Sequence, residues 1–216
     1  MAESSRSYIP AAGHDWYLPL YDPMVKLMGG EAARRALLDL ADVRPGHRVL
    51  DIGCGTGSLA VLIKRLRPDT DVIGIDPDPK ALSRARRKAE RAAVSIRFDR
   101  GFGDELPYSD ASMDRVFSSF MFHHLERKDK QGMLAEVRRV LKPGGIFTLL
   151  DLAGPDSGKH GLLVRLFHSS HHLKDNSDEQ ILALMREAGL ADARKVSQSS
   201  MMLGLARINY YQAGKV

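Results

Sequence analysis

Short apolar runs alternate along this chain with longer amphipathic stretches, a pattern typical of strands that alternate with helices. Buried strands are predicted at residues 49–52, 71–76, 94–98, 113–119 and 146–150. Helical periodicity is found at residues 31–41, 58–63, 79–93 and 128–141. The motif Leu141-Lys142-Pro143-Gly144-Gly145 predicts a turn into the fifth strand. Strict alternation of this kind predicts a doubly wound parallel sheet with helices on both faces.

The C-terminal part of the chain changes this pattern. Ser177-Asp178-Glu179-Gln180 is an N-terminal capping pattern for a helix at residues 181–188, and Gly189 ends that helix. Residues 192–202 and 205–212, joined around Gly204, indicate an antiparallel hairpin. The predicted fold class is therefore α/β, with a mostly parallel, seven-stranded, Rossmann-like sheet that ends in a C-terminal antiparallel hairpin.

Two segments lie outside the regular alternation. Residues 1–30 are irregular but hold the only tryptophan, Trp16, together with Tyr17 and Tyr21. These rings either cover the surface of the domain or form an N-terminal flap over the ligand cleft. Residues 31–216 are predicted to form a single domain, in which residues 152–177 are an inserted lid over the substrate.

Composition restricts the class of protein. The chain has 216 residues, of which 44% are hydrophobic and 27% charged, as expected for one globular domain. Its single cysteine excludes a disulfide framework and favours the cytoplasm. No apolar run approaches the roughly 20 residues of a membrane span, and the first residues carry no signal core. The net charge of +5 does not indicate a nucleic-acid partner, because no aromatic residues interleave with the basic ones.

The segment 49–57 carries the main chemical signal. A buried strand passes through Asp51 and ends in a loop whose three glycines are Gly53, Gly55 and Gly57, and a helix follows. A dinucleotide fingerprint requires G-x-G-x-x-G, but here the third glycine comes one residue early and Ser58 takes its place. Asp51 would also repel a pyrophosphate and attract an ammonium. These features favour S-adenosylmethionine over NAD, although a glycine turn without a ligand is a further interpretation.

Asp76 ends the second strand, at the position where an acidic residue binds ribose hydroxyls. A carboxylate suits this role because it accepts charge-assisted hydrogen bonds from two hydroxyls. The alternative is that the acid caps the next helix, and Asp78 fits that role better than Asp76. Acids at two adjacent strand ends make the cofactor assignment more specific than either acid alone.

Three motifs extend the pattern: Leu106-Pro107-Tyr108, Phe122-His123-His124-Leu125 and the segment 141–145. Together with the glycine loop and Asp76, they resemble the class I S-adenosylmethionine-dependent methyltransferases. Within that family the similarity is to the small-molecule branch that includes the ubiquinone/menaquinone methyltransferases. The resemblance covers about residues 31–151 and implies the same sheet, in which the C-terminal hairpin completes the strand order of the family.

The resemblance implies a set of cofactor contacts. Asp51 and the loop residues Gly53, Cys54, Gly55 and Gly57 would hold the methionine part, Asp76 the ribose and Pro77 the adenine face. The family usually has Gly-Asp-Ala where this chain has Gly101-Phe102-Gly103, so an adenine-binding acid is missing there. Phe102 would instead pack on the ring, while Asp104 or the backbone of Gly103 makes the polar contact. Ser119 and Tyr21 complete the predicted contacts.

The predicted activity is methyl transfer from S-adenosylmethionine to an O, N, C or S atom of a small-molecule acceptor, with alignment as the main task of the protein. His124, and after it His123, are the candidates for a general base, unless one packs and the other bonds the backbone, or no base is needed. An RNA or protein methyltransferase is an alternative, but segment 118–121 lacks the Asn/Asp-Pro-Pro-Tyr tetrad of base-directed enzymes. A second alternative is a non-catalytic protein that binds S-adenosylmethionine.

Four histidines cluster beyond the shared core: His160, His168, His171 and His172. The spacing of His168, His171 and His172 would place their rings on one face of a helix, which would suit a metal such as zinc or iron. No cysteine or close carboxylate accompanies them, and methyl transfer needs no metal. The prediction is therefore a polar lid segment without a metal site.

Overall fold

A mixed seven-stranded sheet forms the centre of the part of the chain described in this computed structural model, namely residues 29–153, 176–201, 204 and 206–216. The strands are β1 (Arg48–Ile52), β2 (Asp71–Asp76), β3 (Arg97–Arg100), β4 (Met113–Ser119), β5 (Leu141–Leu152), β6 (Ala191–Met201) and β7 (Ala206–Gly214). Across the sheet they lie in the order β3-β2-β1-β4-β5-β7-β6. All run in one direction except β7, which pairs antiparallel with both β5 and β6. The predicted fold class is confirmed.

Helices cover both faces of the sheet, as predicted. In the described ranges they are α1 (Gly30–Leu40), α2 (Ser58–Leu66), α3 (Pro79–Arg91), α4 (Arg127–Val140) and α5 (Asp178–Glu187). Leu37, Leu59 and Leu82 from the first three helices pack together in one buried cluster. Met133 of α4 and Ile181 of α5 belong to a second buried cluster on the opposite face. The central strands are apolar on both faces because each face is covered by helices.

The topology places a cleft at the carboxyl ends of the central strands. β1 pairs with β2 on one side and with β4 on the other, so the chain changes direction across the sheet next to β1. In open α/β sheets, ligands bind outside the carboxyl ends of the strands at such a switch point. The fold therefore brings Asp51, Asp76 and Ser119 to the same end of the sheet, where these strands finish.

β3 begins later than predicted. Residues 94–96 do not join the sheet, because α3 is followed by Ala93 in the left-handed region (φ 51°) and the Val94 N–H bonds to the Ala89 carbonyl at 3.1 Å. The strand Arg97–Arg100 then pairs with the carboxyl half of β2. An edge strand is half exposed, so its apolar residues do not determine its register.

β5 is longer than predicted and includes the motif that indicated a turn. Its pairing with β4 passes from Met113–Leu141 directly to Arg115–Ile146, so the residues between form a bulge. Gly144 has φ 76°, and its N–H bonds to the Lys215 carbonyl at 2.7 Å. The C-terminal end of the chain thus supports this segment as part of the sheet.

Local capping follows the sequence closely. The Ser177 hydroxyl accepts a hydrogen bond from the Gln180 N–H, and the Gln180 side chain accepts one from the Ser177 N–H, which is a capping box. Gly189 follows α5 with φ 76°. Asp78 caps α3 by accepting a hydrogen bond from the Lys80 N–H at 2.8 Å. The cap is therefore Asp78, which leaves Asp76 for another role.

Two predicted segments fall largely outside the described residues. The structure does not describe residues 1–28 of the predicted N-terminal flap or residues 154–175 of the predicted lid. All four clustered histidines lie in the second of these segments. Both assignments stay predictions. Within the described residues, no helix is long and apolar enough to cross a membrane.

Candidate functional site

A cleft of about 360 Å³ opens at the carboxyl ends of β1, β2 and β4. This volume is in the range of small-molecule sites. The predicted residues that line it are Gly53, Cys54, Gly55, Asp76, Pro77, Phe102, Gly103, Asp104, Ser119 and His124. Asp51, Gly57 and His123 do not line it, and Tyr21 lies outside the described residues. The structure therefore brings most of the predicted set to one site.

The glycine loop connects β1 to α2 and forms one wall of the cleft. The N–H groups of Gly53 and Cys54 both bond to the Ile75 carbonyl, at 2.9 and 3.1 Å, which fixes the loop against β2. Gly53 has φ 66°, and a Cβ there would lie 2.5 Å from Cγ of Met121. A Cβ on Gly57 would lie 2.8 Å from the Ala85 Cβ on α3. Gly57 is thus needed for helix packing, which explains why it does not face the cleft.

Asp76 lines the cleft with its carboxylate already oriented. Its Oδ2 accepts a hydrogen bond from the Gly55 N–H at 2.8 Å, and its Oδ1 accepts one from the Asp78 N–H at 2.9 Å. Burial raises the pKa of Asp76 to about 6, although both N–H groups act in the opposite direction. Each carboxylate oxygen retains a lone pair for a further donor. The group is therefore a fixed, largely ionised acceptor at neutral pH, as a ribose contact requires.

Asp51 is buried behind the glycine loop, and no side chain in the described ranges forms a hydrogen bond or ion pair with it. The residue is 1% exposed, and neither oxygen has a side-chain hydrogen-bond partner among residues 29–153, 176–201, 204 and 206–216. Burial raises the pKa of Asp51 to about 7; the positive charge of Arg34 and the backbone N–H of Ala60 oppose this rise, and the charge of Asp76 adds to it. A buried carboxylate without a partner is costly. The site is therefore electrostatically prepared for a cationic group.

Phe102, Gly103 and Asp104 line the cleft together with Pro77. The Gly101 N–H bonds to the Asp76 carbonyl at 3.2 Å, which ties this segment to the end of β2. A Cβ on Gly103 would lie 2.8 Å from Cγ2 of Ile52. The missing adenine-binding acid thus has Phe102 in its place, with Asp104 close by in the lining.

The two histidines occupy different environments. They lie in a short 3-10 turn, Phe122–His124, directly after β4. His123 is 3% exposed, and its Nδ1 lies 2.5 Å from Oδ1 of Asp151, so it bonds a carboxylate rather than the backbone. His124 lines the cleft, and its ring centroid lies 4.0 Å from that of His123. His124 is therefore the histidine that can reach a bound ligand.

Asp151 was not predicted as a site residue. It is fully buried at the end of β5, and its Oδ1 also accepts a hydrogen bond from the Leu152 N–H at 2.8 Å. The pKa of Asp151 lies below its ordinary value: burial acts to raise it, but the charges of His123 and His124 and the bond from His123 outweigh burial. The sequence did contain an indication of this role, because Asp151 lies near the carboxyl end of a predicted parallel strand, as Asp76 does.

The chain leaves β4 through a strained residue. Phe120 has φ 57°, which is unusual for a bulky side chain, and its N–H bonds to the Leu150 carbonyl at 2.9 Å. Met121 and Phe120 both line the cleft. The guanidinium carbon of Arg34, on α1, lies 5.6 Å from the Phe120 ring centroid. Arg34 also lines the cleft, although no sequence motif marked it.

The described residues fit the predicted cofactor. The buried acid Asp51, which no side chain pairs with in the described ranges, suits an ammonium. The oriented acid Asp76 suits ribose hydroxyls, and Pro77 and Phe102 offer apolar faces to a flat ring. The Cys54 thiol is no competing nucleophile, because burial and then the charges of Asp51 and Asp76 raise its pKa well above its ordinary value. No group of three or more potential metal ligands is found in the described ranges.

Comparisons with known proteins give the same assignment. A family model described as a methyltransferase domain matches residues 49–145. The demethylmenaquinone methyltransferase of Thermus thermophilus is 36% identical over 152 residues, which cover 69% of this chain and 68% of that protein. The enzyme of the same name from Deinococcus radiodurans is 38% identical over 152 residues, covering 69% and 62%. This chain thus spans about two thirds of the length of these curated relatives.

A solved structure supports the fold independently. Phosphoethanolamine N-methyltransferase 2 of Haemonchus contortus, in complex with S-adenosyl-L-methionine, aligns with a TM-score of 0.77 and 17% identity. The alignment covers 95% of this chain and 58% of that chain. At this identity the likeness concerns the fold alone.

Proposed function

Because this chain belongs to the class I S-adenosylmethionine-dependent methyltransferases, we propose that it methylates a ring carbon of a demethylmenaquinone-type quinol. The observation that carries this proposal is His124, which lines the cleft beside the buried His123–Asp151 pair. The names of the two relatives support the acceptor class. A cytoplasmic location belongs to the same proposal and rests on the single cysteine.

The chain's own residues would hold the donor in one orientation. Asp76 would accept hydrogen bonds from the ribose, Pro77 and Phe102 would enclose the adenine, and Asp51 would neutralise the ammonium. When bound, S-adenosylmethionine supplies a methyl group on a sulfonium, which is already a good leaving group. The work left to the protein is alignment and charge control, which can supply up to roughly 7–11 kcal/mol of the barrier in ideal cases.

His124 would act as the general base. It removes the proton from a ring hydroxyl, and the resulting negative charge delocalises onto the ring carbon that attacks. The cleft residues would align that carbon with the methyl group of the donor, and loss of the proton on the methylated carbon would restore the aromatic ring. His123 would position the His124 ring, and the Asp151 charge would favour the protonated imidazole that results.

Apolar side chains near His124 suit a ring-bearing acceptor. Met121, Leu125 and Met133 line the cleft together with His124. Flexible methionines adapt to irregular apolar ligands and make favourable contacts with aromatic rings. This lining is less suited to a nucleic-acid or protein acceptor, which the sequence left as an alternative.

We expect labelled methyl transfer to demethylmenaquinol. The protein would be incubated with S-adenosylmethionine carrying a deuterated methyl group and with the acceptor kept reduced by borohydride, and products would be identified by mass spectrometry and NMR. The oxidised quinone is the matched control and should give no product, because it has no hydroxyl proton to remove. Label on oxygen, or label in RNA or protein but not in the quinol, would contradict the proposal.

A further inference from the structure

A row of basic side chains runs along the outer face of α3. Lys80, Arg84, Arg87 and Arg91 recur at positions i, i+4, i+7 and i+11, so they lie on one face of the helix. Arg84 is half-buried and the other three are exposed. The buried residues of α3 lie on its other face and are Ala81, Leu82, Ala85 and Ala89. We call the four basic residues the α3 stripe.

The charge of the α3 stripe is not balanced by neighbouring acids. The helix carries six basic residues but a single acidic one, Glu90. Among the residues that the structure describes, neither Glu90 nor the three arginines of the stripe form an ion pair. On α1, by contrast, the exposed Arg35 pairs with Glu31 at 3.2 Å. Like charges at this helical spacing repel each other, so a negatively charged partner would stabilise the stripe.

The α3 stripe begins at the rim of the cleft. Pro77, which lines the cleft, lies two residues before the start of α3. Arg100, the exposed last residue of the edge strand β3, donates a hydrogen bond from its Nε to the Pro77 carbonyl at 3.3 Å. From Lys80 to Arg91 the helix rises about 16 Å, at 1.5 Å per residue. A basic surface therefore extends from the cleft rim along the side of the sheet that ends in β3.

We propose that the α3 stripe docks this protein on an anionic phospholipid bilayer, from which the cleft takes its acceptor. The inference rests on the proposed function, because quinols of the menaquinone type carry an isoprenoid chain and partition into lipid. Bilayers with anionic lipids have a negative surface potential that attracts clusters of Lys and Arg. A nucleic acid fits less well, because α3 has no aromatic side chain on which a base could stack.

Vesicle sedimentation with the full chain tests the docking surface without any acceptor. Wild-type protein should bind vesicles made of equal parts of phosphatidylglycerol and phosphatidylcholine, and should not bind vesicles of phosphatidylcholine alone. Binding should be lost as the NaCl concentration approaches about 1 M, where the Debye length is roughly 3 Å. The triple variant Arg84→Gln, Arg87→Gln and Arg91→Gln should partition about 100-fold more weakly, at roughly fivefold for each lost charge.

Three arginines elsewhere provide a matched control. Arg138 on α4, Arg186 on α5 and Arg194 on β6 are exposed and lie away from α3. Replacing all three by Gln changes the net charge as much as the stripe variant does, but should leave vesicle binding unchanged. Equal losses in the two triple variants would show that net charge alone drives binding, and would overturn the docking surface.

Two acceptors connect docking to turnover. With a water-soluble naphthoquinol that has no side chain, the stripe variant should match wild type, because its three positions do not line the cleft. With the isoprenoid quinol embedded in anionic vesicles, it should be slower. Wild-type binding that ignores lipid charge, or that is tighter to RNA than to vesicles, would also overturn the inference. Vesicle binding by wild type without methylation of the soluble quinol would instead contradict the proposed function.

Discussion

Replacing Asp51 by Asn is expected to stabilise the free protein at pH 8 while greatly weakening its binding of S-adenosylmethionine. The folded-state pKa of Asp51 is raised to about 7 because the group is buried, and the Arg34 charge and the Ala60 N–H offset this only in part. An increase of this size corresponds to roughly 4 kcal/mol against the ionised form. Since the Asn amide must also be buried, we expect a net gain on the order of 1–3 kcal/mol.

The stability difference between Asp51→Asn and wild type should depend on pH in a defined direction. A group with a raised folded pKa contributes stability that is fully present below its unfolded value, here 3.8, and is lost as the pH rises through about 7. The advantage of Asp51→Asn should therefore grow between about pH 4 and pH 7 and then level off. Urea unfolding at pH 5 and pH 8 measures it. A variant less stable than wild type at pH 8 would contradict the unpaired state of Asp51.

Asp114 offers a control of opposite sign. The pKa of Asp114 lies below its ordinary value. Burial acts to raise this pKa, but hydrogen bonds from the Lys142 ammonium and the Arg48 N–H lower it by more than burial raises it. A group with a depressed pKa stabilises the fold above its unfolded pKa. Asp114→Asn should therefore destabilise the protein at pH 8, and cofactor binding should persist because Asp114 lies at the other end of the strands.

Replacing His124 by Gln is expected to lower turnover of the quinol by about 10²- to 10⁴-fold, the usual range for loss of a positioned general base. Affinity for S-adenosylhomocysteine should change little, because the cofactor contacts assigned above come from other residues. Steady-state kinetics and calorimetry on the same preparation separate these effects. Equal losses in both would mean that His124 binds the cofactor rather than acting on the acceptor.

Two other histidines make this test specific. His47 precedes β1, at the edge of the sheet opposite the cleft, so His47→Gln should leave turnover unchanged. His123→Gln should lower both turnover and stability, because it removes the partner that the buried Asp151 carboxylate depends on. Unchanged turnover in His124→Gln would show that the reaction needs no histidine base.

Local sequence patterns were sufficient to predict many of the residues that line the cleft. Asp76 and the glycine loop follow from where parallel strands end, and this is a property of chain order that the sequence displays directly. The cap at Asp78 follows from hydrogen bonds between residues two positions apart. Such short-range features depend little on the rest of the fold.

Long-range packing explains what could not be predicted. Arg34 reaches the cleft only because the fold brings α1 close to Phe120, the residue after β4, and a helix before the first strand carries no motif for this. The division of roles between His123 and His124 depends on Asp151, which is distant in sequence and approaches only in the folded sheet. The start of β3 depends on pairing with β2, which the apolar pattern alone does not contain.

The central claim, that this cleft binds S-adenosylmethionine, is tested most directly by calorimetric titration of the wild-type chain at pH 8. We expect S-adenosylhomocysteine to bind one site with a micromolar Kd and NADH not to bind, because its pyrophosphate would approach the buried Asp51 and Asp76 carboxylates. Tighter binding of NADH than of S-adenosylhomocysteine by the folded protein would contradict the account.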